Sequence, residues 1–489
     1  VPRRLLAALA ALLIGPATAA AQVQPYGTGN AGTFYNILPP GTNGFDNAAQ
    51  LAAFEAAKQR PPHEVDQLGM YHGLTTAAPN IQTADITRYF KDATFGVKPA
   101  DVDRSESPEP GVTIVYDKPF GVPHIYGDTR AELEFGIGYA TAESRLFMID
   151  ALRHAGAGDL AAFAGGSNLG MDEGTWQDAP YTHDDLMAQI AYIATLPGGQ
   201  QVISDGENYV DGINAYIRMA TANPINEALY LPGEYAAIGQ LQGPKPFTLP
   251  DIITTASLIG GQLGQGGGDQ LNTAILYEQL LKRFGAERHA VAGYPGVPPR
   301  HPASARAPDH SAFATLTSFT QPNDPEAPST VKRTSFPYQT LPRPSRAVAR
   351  TVALPDPGSV HYVSPVASAT GSAVSAARRP ARTAGLLGGF PTSDSNALLV
   401  SARDSANHHP IAVIGPQVAY WSPEILMEED IHGPGIQADG ASFPGTNVYV
   451  ELGHGENYAW SATSEGQNII DTFAVPLCNP SGGAVSPDS

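Results

Sequence analysis

The tract "GFPTSDSNALLVSARDSANHHPIAVIGPQ", Gly389–Gln417, places a Ser-Asn pair, Ser395-Asn396, where a segment without any period gives way to a strand-like run. A serine hydroxyl is a poor nucleophile until a base takes its proton. A cut after Asp394 supplies that base, because Ser395 then begins a new chain and carries both its hydroxyl and an α-amino group. An unperturbed α-amine titrates at about 7.7–8.0, so it accepts a proton near neutral pH. One residue then holds nucleophile and base, as in the N-terminal variants of serine and threonine catalysis.

Rival motifs offer less. Ser167-Asn168 in "AGGSNLG" has no strand after it and reads as a turn. Leu169 stands where G-x-S-x-G needs its last glycine, which excludes a nucleophile elbow. His63-Glu64 is followed by Val65, Asp66 and Gln67, so the zinc pattern H-E-x-x-H is absent. His408-His409 reads as solvated turn surface, and His154 and His432 as structural. The run "GGQLGQGGGDQ", Gly260–Gln270, fits a ligand-side loop or a plain linker equally well. Asp269 breaks the G-x-G-x-x-G register there, which argues against a dinucleotide site.

A chain of 489 residues is long enough for two or three compact units. Its net charge of −19 repels nucleic acid and anionic lipid, so neither is expected as a partner. The single cysteine, Cys478, excludes an internal disulfide framework and a cysteine-rich metal site. Arg3 and Arg4, the apolar run Leu5–Ile14 and small residues through Ala21 read as an export signal over residues 1–21. That run is too short to span a bilayer and no later one is longer, so a secreted or periplasmic protein is expected.

The elements that must carry Ser395 follow from pattern. "VTIVYDKPFGVPHIYG" alternates like a strand pair broken at Pro119-Phe120-Gly121, and Asp128-Thr129 offers an N-cap for a long buried helix through His154. Asp185–Ala222 and Leu249–Phe284 are mostly helical in period, with the glycines from Gly260 expected to unwind the second. Residues 300–394 are rich in Pro, Ser, Ala, Thr and Arg and read as a spacer. From Ser395, "NALLVSA", "PIAVIGP", "TNVYVELGH" and "NYAWSAT" are short runs between turns, the pattern of an antiparallel sheet. The class expected is α+β.

The same residues resemble the penicillin acylase family. The resemblance rests on "GVPHIYGDTRAELEFGIGYATAESRLFMIDALRHAGAGDLAAFAG" (Gly121–Gly165), "SNALLVSA" at Ser395, the Gly-Pro-Gln ending at Gln417, His432-Gly433, "FPG" at Phe443 and "GHGENYAWSATSEGQNIIDTFA" (Gly453–Ala474). It implies an N-terminal-nucleophile hydrolase with an αββα four-layer sandwich, here truncated at the C-terminus. It also implies a precursor that removes its spacer by cutting itself, leaving an α/β heterodimer. Residues 22–299 would then be the α-chain region and 395–489 the start of an incomplete β chain. Family members hydrolyse acyl amides such as β-lactams, acyl-homoserine lactones or lipopeptides.

Carried onto this chain, the resemblance makes Ser395 the nucleophile with its own amine as base. Gln417 would orient that amine, and the backbone N–H of Ser464 would donate to the oxyanion. Leu263 and Val418 fall where the family lines its acyl pocket, and aliphatic side chains there suit an apolar acyl group. A structural calcium ion, with no organic cofactor, would take Asp269, Asn468, the carbonyl of Ile470 and Asp471. The sequence departs from the family at Leu398, where a tryptophan is usual, and at Asp394, where a small residue usually precedes the cut. The alternative class is a secreted binding or scaffold protein, or an inactive acylase fragment, in which Ser395 merely opens a strand.

Overall fold

The β-branched run from Val112 and the turn at Pro119–Gly121 form the hairpin their pattern predicts. The computed structural model describes residues 34–37, 41–179, 181–263, 265–267, 394–417, 423–462 and 467–470. These fall into two compact units, one built from described residues up to 175, 193–258 and 394–462, the other from 176–192, 259–267 and 467–470. Helices together with a mixed sheet make the class α+β. Residues 1–21, most of the 300–394 spacer and Cys478 lie outside the described residues.

In the first unit, β1 (Tyr35–Asn36) and β2 (Lys91–Asp92) pair antiparallel. The strands β3 (Val102–Glu106), β4 (Val112–Asp117) and β5 (Pro123–Gly127) form an antiparallel meander. The second unit contains β6 (Gln265–Gly267). After the spacer come β7 (Asp394–Val400) and β8 (Ile411–Gln417), an antiparallel ribbon of their own. Then follow β9 (Met427–Gly433), β10 (Ile436–Ser442), β11 (Leu452–His454) and β12 (Ala459–Trp460), and in the second unit β13 (Gln467–Ile470).

The main sheet runs β12-β11-β10-β9-β5-β4-β3. Its one parallel pairing is β5 with β9, in the register His124↔Asp430, Ile125↔Ile431 and Tyr126↔His432. Strands from before and after the spacer therefore share one sheet, and β5–β9 is the seam. The expected antiparallel sheet is right for β7 and β8, but "TNVYVELGH" is a strand only over Leu452–His454. The strands β9 (MEEDIHG) and β10 (IQADGAS) escape the pattern because their acidic residues face inward: every residue of β9 is buried.

Helix α1 (Arg130–Ala157) is capped by Thr129, whose hydroxyl accepts from the Glu132 N–H at 3.3 Å, and ends at Gly158 in the left-handed region. It lies against α3 (Gly199–Ala220), which follows α2 (His183–Ile193). Two glycines allow the approach: a Cβ at Gly138 would run into the Tyr209 carbonyl, and one at Gly212 into the Phe135 carbonyl. The core between helices and sheet includes Ile114, Ile125, Leu133, Ile137, Tyr209 and Ile213. Helix α4 (Leu249–Leu263) runs through Gly260 and Gly261 but ends at Leu263, and Gln265–Gly267 is a strand, so the interruption expected in the Gly260–Gln270 tract falls within it, after Leu263. Two glycines cost a helix only about 0.5–1 kcal/mol each, and Ile252, Leu258 and Ile259 bury its apolar stripe.

Helix α1 breaks at Arg145, whose φ of −143° and ψ of 22° are not helical. Its buried guanidinium donates to the carbonyls of Gly41, Asn43 and Glu424 at 2.7–3.1 Å, pinning chain from both sides of the spacer. A second cross-spacer pin is Asp205, which accepts three bonds from Arg130 at 2.6–3.0 Å and one from the Tyr449 hydroxyl at 2.5 Å. In a third, Asn447 donates to the Thr141 hydroxyl at 2.7 Å and to Glu429 at 3.0 Å, and accepts from Tyr209 at 2.6 Å.

Glu134, on α1, is fully buried with neither carboxyl oxygen hydrogen-bonded. Burial, aided by the charge of Asp205 and opposed by Arg130, pushes its pKa from 4.5 up to about 9. Between those two values the folded protein keeps this proton and the unfolded chain loses it. Stability therefore falls as pH rises through the window, by at most about 1.4 kcal/mol per pH unit. Glu134→Gln is expected to flatten the decline of melting temperature between pH 5 and 9. An unchanged slope in thermal melts across that range would refute this assignment.

Candidate active site

Ser395 is the second residue of β7, whose first is Asp394. The register pairs Asp394 with Gln417, Ser395 with Pro416 and Asn396 with Gly415. The structure thus brings Ser395 and Gln417 onto adjacent strands, one register step apart. The bond expected to be cut lies inside a regular two-stranded ladder. The ribbon turns over residues 401–410, with the exposed His408 in the left-handed region at φ 59°, which agrees with a solvated His-His turn.

The ribbon is apolar on both faces. Leu398 and Leu399 point to opposite sides and are 71% and 76% exposed, and Val413 is 63% exposed. A two-stranded ribbon whose edges have no partner among the described residues and whose faces are apolar is a template for association. The 489-residue chain is therefore expected to self-associate, and a Leu398→Lys, Leu399→Lys double variant to shift it toward monomer in sedimentation at the same concentration. Equal association of both proteins would show that this ribbon is not the sticky surface.

Of the other expected site residues, Ser464, Val418, Asp269 and Asp471 lie outside the described residues, and Leu263 is the last residue of α4. In the second unit, β13 pairs parallel with β6, Asn468 opposite Gly266 and Ile470 opposite Gly267. The backbone at Asn468 and Ile470 thus runs beside the glycine segment that leads to Asp269. An all-oxygen donor set of this kind would suit a hard cation such as calcium. Among the described residues, no three His, Cys, Asp or Glu side chains gather as a metal site, and no helix is long and apolar enough to cross a membrane.

The sequence reading missed a buried charge cluster at the β5–β9 seam. His124 Nδ1 lies 2.7 Å from Asp430 Oδ2, and His432 Nε2 lies 2.7 Å from Asp430 Oδ1. The Gly96 N–H also donates to Asp430 at 2.7 Å, and Asp117 approaches His124 Nε2 at 3.7 Å. Asp117 in turn accepts from the Phe120 and Val122 N–H groups, fixing the β4–β5 turn. Tyr126 stacks on His432 at 4.9 Å and Phe95 meets it edge-on at 5.4 Å. Lys91, paired with Glu428, and Asp439 complete the cluster. The signal was present in "HIYG" and "EEDIHG", whose polar residues interrupt strand-like runs. Its place in the sheet and its burial make it a structural cluster, in keeping with the reading of His432.

Comparison with known proteins bears on these placements. A penicillin G acylase from Escherichia coli is 26% identical over 389 residues, which is 78% of this chain and 41% of that protein, so the chain spans about two-fifths of its relative's length. A solved thermostable penicillin G acylase from Alcaligenes faecalis is 24% identical, over 48% of this chain and 100% of that one. Its TM-score of 0.29 is too low to carry an argument about fold. The family model described as penicillin amidase matches residues 111–487, which takes in α1, the ribbon and every strand of the shared sheet but β3. On that match, this chain belongs to the penicillin amidase family.

Proposed function

We propose that this chain belongs to an exported acyl-amide hydrolase, made as a precursor that cuts itself before Ser395 and works as an α/β heterodimer of the N-terminal-nucleophile type. The observation that carries the reading is the position of Ser395 at the head of β7, beside the Gly-Pro-Gln strand, in a chain of the penicillin amidase family. The αββα sandwich belongs to the same proposal. The shared sheet supports the heterodimer, since β5, before the spacer, pairs directly with β9, after it.

In the first cut, the Ser395 hydroxyl oxygen adds to the Asp394 carbonyl carbon. The Asp394–Ser395 C–N bond then breaks, and the hydroxyl proton ends on the departing Ser395 nitrogen. Water hydrolyses the resulting ester, leaving an Asp394 carboxyl and restoring the Ser395 hydroxyl. In turnover, the freed amine takes the hydroxyl proton while the oxygen attacks an acyl amide, and passes it to the leaving amine; water then cleaves the acyl ester, releasing the acid and restoring the Ser395 hydroxyl. Gln417 orients the Ser395 amine. The Ser464 N–H donates to the developing oxyanion, and Leu263 and Val418 line an apolar acyl pocket. A calcium ion held by Asp269, Asn468, Ile470 and Asp471 would act structurally, tying β6 to β13.

The test is a mass spectrum of the purified protein together with hydrolysis of phenylacetyl, short-acyl and long-acyl amides. Two fragments, the second beginning at Ser395, with release of amine from at least one amide, are expected. One intact chain without hydrolysis would point instead to a binding or scaffold protein.

A further inference from the structure

We infer that the backbone N–H of Gln417 is the oxyanion donor for the precursor's self-cutting step. This rests on the proposed cut before Ser395 and adds a residue to it. Pro416 carries no N–H, so it cannot exchange ladder bonds with its partner Ser395. In an antiparallel ladder, pairs that exchange both N–H···O=C bonds alternate with pairs that exchange none. Ser395–Pro416 must be of the second kind. Asp394–Gln417 and Asn396–Gly415 are therefore of the first kind, since the register is continuous from Asp394 to Val400.

In an exchanging pair, each residue turns its N–H and C=O toward the partner strand. The Asp394 carbonyl, which is the scissile carbonyl, thus accepts from the Gln417 N–H, while the Ser395 N–H points away from β8. β7 has no other partner strand among the described residues, so that side of Ser395 is the outer edge of the ribbon. When the Ser395 oxygen adds to the carbonyl carbon, negative charge collects on an oxygen already aimed at a fixed donor. Such a bond strengthens as charge develops, and removing one donor costs about 10²–10³ in rate. The proline one residue earlier sets the phase: it forces the scissile carbonyl toward β8, and only after the cut is the Ser395 nitrogen, no longer held in an amide, free to turn toward Gln417.

The bond can be removed without touching a side chain, by replacing the amide before residue 417 with an ester in the full precursor, so that oxygen stands where the N–H was. The appearance of the fragment beginning at Ser395 is then timed. The control is the same ester before Val413, which removes the corresponding ladder bond to Leu398 three pairs from the cut. The expected result is cutting slowed about 10²–10³-fold by the ester at 417 and unchanged by the ester at 413.

Cutting at the parent rate with the 417 ester would overturn the inference while leaving the proposed cut intact. Equal slowing by both esters would also overturn it, because general weakening of the ribbon would then be the cause. A parent protein that never cuts before Ser395 would sink the underlying reading itself. An independent check uses the uncut Ser395→Ala protein with carbon-13 at the Asp394 carbonyl. Its infrared band is expected to move to higher frequency with the 417 ester and to stay with the 413 ester; a band unmoved by the 417 ester would contradict the bond.

Discussion

Ser395→Ala is expected to leave the chain in one piece and to abolish amide hydrolysis, a loss of about 10⁶ in turnover when a nucleophile of this kind is removed. Both effects follow from a single atom. The Ser395 oxygen attacks the Asp394 carbonyl in the precursor and the acyl carbon in the mature protein, so one substitution stops both reactions. The check has two arms, a mass spectrum for the cut and amine release for turnover. If the variant is still cut before residue 395, the serine is not the agent of processing. If a variant cut there by an added protease still hydrolyses amides, the serine is not the nucleophile of turnover.

Asp430→Ala should be the most destabilising single change at the seam, by about 3–5 kcal/mol, because it strips one carboxylate from two histidines and a backbone N–H at a fully buried position. Burial opposes charge here, yet the bonds from Asp117 and Asp430 outweigh it and raise the His124 pKa from 6.5 to about 9. For Asp430, burial is likewise outweighed by His432 and His124, which hold its carboxyl below the usual 3.8.

The two signs differ. A raised histidine stabilises fully below 6.5 and loses that contribution as pH climbs through about 9, whereas a depressed carboxylate stabilises above 3.8 and loses it as pH falls below that value. The wild-type seam is therefore strongest between about pH 4 and 6.5 and weakens toward pH 9. Urea unfolding of the uncut Ser395→Ala protein, with and without the second change, measures the effect. A loss under about 1 kcal/mol would mean that the cluster does not hold the seam.

Much of this fold was legible where burial and apolar pattern coincide. The hairpin at Val112, the Thr129 cap and the long helix after it, and the strands at Asn396 and Ile411 all appear where alternation or helical spacing places them. The family, too, was legible from its motifs. β9 and β10 were hidden for a physical reason. Glu428, Asp430 and His432 are buried because each meets a partner from a distant segment, and pairing across more than 300 residues leaves no trace in local period. Helix α4 held through its glycines because its apolar stripe outweighs their propensity cost. Of the candidate site, the pairing of the Ser395 strand with the Gly-Pro-Gln strand needed the register. The parallel seam that joins the two halves needed the sheet itself.

The central claim is that the amine freed at Ser395 is the base for its own hydroxyl. It is tested most directly by preparing the mature protein with one alanine left in front of Ser395, so that the nitrogen becomes an amide whose lone pair is delocalised into the carbonyl and takes no proton near neutral pH. Initial rates of amide hydrolysis are then compared with those of the protein that begins at Ser395. An amine base predicts activity only when Ser395 is first, with the rate rising through an ionisation near the α-amine range of about 7.7–8.0. Undiminished hydrolysis by the alanine-extended protein would contradict it.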